Sequence, residues 1–181
     1  MLIPKNKKTV IITGASSGIG LECAKLFHKN NYFVIGFGTD NNKLSNLGKQ
    51  LFKNKNFLSI ALDFSDQDIE NKIKLEIAKI NKIDALVNCA GLSLKNSIDN
   101  IDLQEWQKIM KVNVDSAFLM IKYSIPLLAL SNYPSIVNVS SIAGRLRSIS
   151  LGCHYSTSKA ALFGLTRHMA GELGSKNIRV N

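Results

Sequence analysis

Short apolar runs alternate along this chain with longer stretches in which apolar side chains recur every three or four residues. Thr9–Thr13 (TVIIT) is a β-branched run closed by glycine, the pattern of a buried strand. After Gly20, Leu21, Ala24, Leu26 and Phe27 fall at helical spacing until Asn30 and Asn31 stop the run. The same reading predicts strands at residues 32–37, 57–62, Ala85–Asn88 and 135–139, with a sixth starting at 178–180. Helices are predicted over 43–52, over 66–80 with Asp66 near the N-cap, over 103–123 behind Asp102 as cap, and over 155–173.

Strands separated by helices of this length pair in parallel through right-handed crossovers. The expected fold is therefore α/β, a doubly wound parallel sheet of about six strands with helices on both faces. A sheet covered on both faces explains why its strands are continuous apolar runs. No linker and no internal repeat interrupts the pattern, so residues 1–181 read as one domain.

Between the first strand and the first helix stands TGASSGIG, Thr13 to Gly20. In such a place Gly14 permits a tight turn, Gly18 lets a pyrophosphate approach the backbone, and Gly20 lets the helix pack close to the sheet. The helix start adds free N–H groups and the positive end of its dipole. The spacing is G-x-x-x-G-x-G rather than G-x-G-x-x-G, and its strand–turn–helix setting is what points to a nucleotide.

Composition narrows the picture little. The chain is 45% hydrophobic and 20% charged, and no low-complexity segment stands out. Its net charge of +10 comes from scattered lysines without interleaved aromatics, which reads as a solvated basic surface and not a nucleic-acid interface. The longest apolar stretch, around 117–130, contains Lys122 and Pro126 and is too short to span a bilayer. No signal peptide is read at the N-terminus, and Cys23, Cys89 and Cys153 lack metal-ligand spacing, so no metal is expected and a reduced, cytoplasmic setting is.

Six motifs in order give the chain a family resemblance: the glycine loop; Asp63 in ALDFSD; NCAG at Asn88, Cys89, Ala90 and Gly91; Asn113 in KVNV; Ser141 in VNVSSIAG; and Tyr155 with Lys159 in YSTSK. Together they resemble the short-chain dehydrogenases/reductases, in particular the oxoacyl-reductase type, over essentially the whole chain. The resemblance implies a Rossmann-type domain and hydride transfer between a nicotinamide cofactor and a small carbonyl or alcohol substrate. It implies a homo-oligomer, a dimer or tetramer. Asn113, Ser141, Tyr155 and Lys159 then form the catalytic set, and Gly14, Ser16, Ser17, Gly18, Ile19, Gly20, Thr39, Asp63, the NCAG residues, Tyr155 and Lys159 bind the cofactor.

The chemistry fits those residue types. A phenol with an unperturbed pKa of about 10 is a poor proton carrier at neutral pH. A lysine one helical turn away lies on the same face, and its charge favours the phenolate. In the family the lysine also binds the nicotinamide ribose, the serine holds the substrate oxygen, and the asparagine links the lysine to a water chain. Outside that register each residue has a plainer reading: Tyr155 and Lys159 as a surface pair, Ser140-Ser141 as a cap signal, and Asn113 as a satisfied helix polar group. His154 reads as a loop residue, His28 and His168 as ordinary helix residues.

The chain departs from the family in four places. Cys89 replaces the second asparagine of NNAG, and the Ser141–Tyr155 interval is one residue longer than the commonest spacing. Arg145 and Arg147 in that interval meet an anionic substrate or are simply solvated. NADP is preferred over NAD because Gly38, not an acid, ends the second strand and Thr39 follows, although Asp40 and the absence of a basic residue at Ser17 argue the other way. The sequence stops at Asn181, near the start of strand six, before the family's substrate lid. A truncated, non-catalytic nucleotide-binding or interaction module is therefore the alternative function.

Overall fold

In a computed structural model, residues 7–50 and 56–181 are described. Six strands form one parallel sheet: β1 (Thr9–Thr13), β2 (Phe33–Gly38), β3 (Phe57–Ala61), β4 (Ala85–Asn88), β5 (Ser135–Asn138) and β6 (Arg179–Val180). Their spatial order is β3-β2-β1-β4-β5-β6, so the direction of winding reverses between β1 and β4. At such a reversal the loops leaving the two strands diverge and open a crevice at their C-terminal ends.

Alternate strand residues feed two cores. Ile11, Ile35, Phe37 and Leu86 pack with Ile69, Ile73 and Ile77 of α3 (Ile69–Ile77) and with Leu119, Met120 and Ile121 of α5 (Ser116–Leu128). Val10, Ile12, Val34 and Val87 face the other way, onto Ala24 of α1 (Gly18–Lys29) and Leu44 of α2 (Asn41–Gln50). Both faces are covered, as the continuous apolar strands require.

The structure corrects several boundaries. Asp68, not Asp66, precedes α3; Asp66 sits in the turn before it, accepting from the Asp68 N–H and pairing with Lys72. The predicted helix over 43–52 is α2, and its residues 51 and 52 lie outside the described residues. The helix expected over 103–123 is interrupted: α4 (Leu103–Met110), capped by Asp102 as expected, runs into a π-turn at Lys111–Asp115 and then α5, which continues through Pro126. The helix expected over 155–173 is α6 (Cys153–Gly174), so His154 is a helix residue, wholly buried, and not a loop residue.

Candidate active site

The glycine loop crosses the crevice. Gly14 and Gly18 take φ of +69° and +52°, the left-handed region that a side chain disfavours. A Cβ on Gly20 would stand 2.3 Å from the Gly14 carbonyl oxygen, so only hydrogen lets α1 start this close to the turn. A Cβ on Gly18 would meet nothing within 4 Å, which leaves the outer side of the loop open to a ligand. Ser17 precedes the first turn of α1, and that turn carries no acidic residue to occupy its N–H groups.

The loop leaving β4 is tied to the end of β1 by one hydroxyl. Thr13 Oγ1 accepts from the Cys89 N–H at 3.0 Å and from the Ala90 N–H at 2.9 Å. Asn88 donates to Asn138 Oδ1, and Asn138 donates to Thr166 Oγ1 on α6, which fixes β4, β5 and α6 together. These bonds hold Cys89, Ala90 and Gly91 against the glycine loop.

Two clefts open on the assembly. One, of about 300 Å³, runs from Gly14, Ser16 and Ser17 past Gly38 and Thr39 to Asp63. Asp63 Oδ1 accepts from both the N–H and the hydroxyl of Ser65, which keeps the carboxylate at the cleft wall. Asp40 is turned elsewhere: its Oδ1 accepts from Lys43 N–H at 2.9 Å, capping α2. The other cleft, of about 270 Å³, joins Gly18, Ile19 and Gly20 to Cys89, Tyr155 and Lys159.

Tyr155 and Lys159 are not a surface pair. Lys159 is 5% exposed, its Nζ donates to the Val139 carbonyl at 2.9 Å, and it stands 5.9 Å from the centre of the Tyr155 ring. Burial pushes the Lys159 ammonium below the ordinary lysine value, opposed by the neighbouring Cys89. Burial likewise raises the Cys89 thiol, with the Lys159 charge pulling it back.

Asn113 is buried on the π-turn, which swings its amide toward the loop after β4. Its Oδ1 accepts from Leu92 N–H at 2.7 Å, and its Nδ2 donates to Leu92 O and to Ser158 Oγ at 2.9 Å each. Gly91 lies between Asn113 and Lys159: a Cβ there would be 3.4 Å from Lys159 Nζ and 3.6 Å from Asn113 Oδ1. Ser141 is the one member of the set whose side chain has a local structural bond instead. Its Oγ accepts from Ala143 N–H at 3.1 Å and caps a short 3₁₀ turn, while Ser140 donates to the Lys159 carbonyl and lines the second cleft. The Ser141 hydroxyl keeps its own proton to donate.

The structure thus brings Gly14, Ser17, Gly91, Tyr155 and Lys159 to connected clefts, with Thr39 and Asp63 at one end. Arg145 and Arg147 are exposed. Sequence reasoning missed Thr13, whose only signal was a hydroxyl ending a strand, and Glu105, which accepts from the His154 ring at 2.8 Å. Among the described residues no group of His, Cys, Asp and Glu could hold a metal ion, and no helix is long and apolar enough to cross a membrane.

The family model for short chain dehydrogenases matches residues 8–181. The chain is 34% identical over 174 residues to Dehydrogenase/reductase SDR family member 6 of Aquarana catesbeiana, covering 96% of this chain and 68% of that protein. It is 34% identical over 176 residues to the 3-oxoacyl-acyl-carrier-protein reductase FabG of Buchnera aphidicola, covering 97% and 71%. Among solved structures it superposes on the Pseudomonas aeruginosa RhlG/NADP active-site complex with a TM-score of 0.87 at 28% identity, covering 96% of this chain and 70% of that one.

Proposed function

The chain belongs to the short-chain dehydrogenase/reductase family of NAD(P)-dependent oxidoreductases, and on that premise we propose that Tyr155 is the proton carrier of a carbonyl–alcohol interconversion. The observation that carries this reading is the buried Lys159 ammonium beside the Tyr155 ring, in one cleft with the glycine loop. A bound nicotinamide supplies or accepts the hydride. The cleft fits such a cofactor: the outer side of Gly18 is open, Gly20 has no room for a side chain, and α1 offers its first-turn N–H groups to phosphates.

In reduction Tyr155 gives its phenolic proton to the substrate carbonyl oxygen; in oxidation it takes the proton from the alcohol. The Lys159 charge favours the phenolate, while its bond to the Val139 carbonyl fixes where that charge sits. Ser141 donates its free proton to the substrate oxygen and stabilises charge there. Asn113, across Gly91 from Lys159, orders the path by which water returns protons to the lysine. Asn88, Cys89, Ala90 and Gly91 form the cofactor wall facing the glycine loop, held from behind by Thr13.

NADP is the proposed cofactor. Gly38 and Thr39 present no acid to a 2′-phosphate, Ser16 and Ser17 supply hydroxyls, and the Asp40 carboxylate is engaged at the start of α2. The substrate is a small carbonyl or alcohol compound, and the protein works as a homo-oligomer.

A fluorescence titration with NADPH and NADH, followed by turnover of Tyr155→Phe, tests the reading. Saturable binding, tighter for NADPH, with turnover abolished and cofactor affinity unchanged in the variant, is the expected result. A folded chain that binds neither nucleotide refutes it and favours a non-catalytic module. Near-full turnover by Tyr155→Phe removes the tyrosine from the mechanism.

A further inference from the structure

Helix α6 begins just before Tyr155 without an ordinary cap. Its N-cap residue is Gly152, which has no side chain to satisfy the first N–H groups. No other residue fits there, because a Cβ on Gly152 would lie 2.4 Å from His154 Cε1 and 2.9 Å from the Asn96 carbonyl oxygen. The His154 ring takes over part of the missing role. Its Nδ1 accepts from the Tyr155 N–H at 2.9 Å, while Nε2 lies 2.8 Å from Glu105 Oε1.

Those partners fix the tautomer. A backbone N–H can only donate, so Nδ1 is the unprotonated nitrogen and Nε2 carries the hydrogen toward the carboxylate. Glu105 is itself held: Asn96 Nδ2 donates to Oε2 at 2.7 Å, and its backbone N–H is bound by Asp102. The spacing Asp102-x-x-Glu105 is that of a capping box, in which the acid turns back to its own helix start. Here it reaches across to α6 instead. The Gly152 N–H, donating to the Leu94 carbonyl at 3.0 Å, completes a closed ring between the segment after β4, the start of α4 and the start of α6.

The geometry points to His154 and Glu105 as positioning residues that set the backbone of Tyr155 against the loop after β4. The inference rests on the reading of Tyr155 as proton carrier. The same Tyr155 N–H also reaches the Gly152 carbonyl at 3.1 Å, and the Tyr155 carbonyl accepts from Ser158 Oγ at 2.8 Å, so the His154 ring is the side-chain acceptor that holds the N–H end of this residue. A shift at this turn moves the phenol relative to the nicotinamide side of the cleft, and displacement near 1 Å in such a site costs up to about a hundredfold in rate.

Two substitutions divide the ring's two bonds. Asparagine places an acceptor where Nδ1 stands but does not reach Glu105; glutamine places a donor where Nε2 stands but gives the Tyr155 N–H nothing. His154→Gln is expected to lose at least about tenfold in kcat with cofactor Kd within about twofold, and His154→Asn to recover most of that loss. Equal kcat losses in the two variants, or none in either, overturn the inference. If neither variant folds, nitrogen-15 spectra of the native imidazole decide: an unprotonated Nδ1 with a protonated Nε2 is expected, and a proton on Nδ1 overturns it. Tyr155→Phe, measured alongside, separates the two claims. An inactive Tyr155→Phe with equal losses at His154 leaves the reading standing and this inference refuted, whereas an active Tyr155→Phe refutes the reading itself.

Discussion

Replacing Thr13 by valine removes one oxygen from a buried position and keeps the shape. Thr13 is 2% exposed, and its oxygen accepts from both the Cys89 and the Ala90 N–H groups. Each backbone donor left unmet when buried costs about 1–3 kcal/mol. Cys89 and Ala90 are half-buried beside a cleft, so water can partly reach them and the lower part of the range applies to each. The expected loss is about 2–3 kcal/mol. With an m-value of about 2–3 kcal/mol/M for a chain of this size, the urea midpoint falls by about 1 M. Thr13→Ser keeps the oxygen and loses one methyl, worth about 1 kcal/mol. Urea unfolding of the three proteins, followed by circular dichroism, measures the order. Because Cys89, Ala90 and Gly91 line the proposed cofactor wall, NADPH affinity should fall in the valine variant and persist in the serine one. If serine destabilises as much as valine, the two hydrogen bonds are not what holds this turn, and the argument fails.

Two of the loop's three glycines, Gly18 and Gly20, should separate space from backbone conformation. Gly20→Ala sets a methyl against the Gly14 carbonyl at 2.3 Å, so it should cost about 1–3 kcal/mol or more and abolish nucleotide binding. Gly18→Ala meets no atom and bears only the cost of φ +52°, about 1–2 kcal/mol, so thermal unfolding should rank it above Gly20→Ala. The buried Lys159 predicts a pH effect on stability. Its pKa is lowered from 10.5 by burial, so the folded chain releases this proton at lower pH than the unfolded chain does. Unfolding then takes up a proton between the folded value and 10.5, and stability rises with pH across that window. Lys159→Met should flatten the rise; urea midpoints taken from about pH 8 upward check it, and an unchanged slope counts against it.

The strands were readable because a parallel sheet covered on both faces demands unbroken apolar runs, and Thr9–Thr13 and Ala85–Asn88 were placed to the residue. Helix starts were less so. Asp66 and Asp68 are two residues apart and both are good cap residues; the choice depends on Lys72 drawing Asp66 into the turn, a contact that spacing does not reveal. The glycine loop announced itself, since each glycine answers a local steric demand. Glu105 and His154 did not, because 49 positions separate them and only the packing of α4 on α6 makes them neighbours. Asp40, which from sequence argued against NADP, has its carboxylate committed to α2, a matter of side-chain direction.

In a regular helix each residue turns the surface by about 100°. The π-turn at Lys111–Asp115 accommodates one residue more than a regular turn, so the buried stripe of Ala117, Met120 and Ile121 is out of phase with α4 before it. Deleting a single residue there would yield a smoother, better-bonded helix. It would also turn either Asn113 away from Leu92 or the stripe away from the sheet. The number of residues over these five positions therefore matters as much as their identity, and one-residue gaps should be absent from this stretch in homologues.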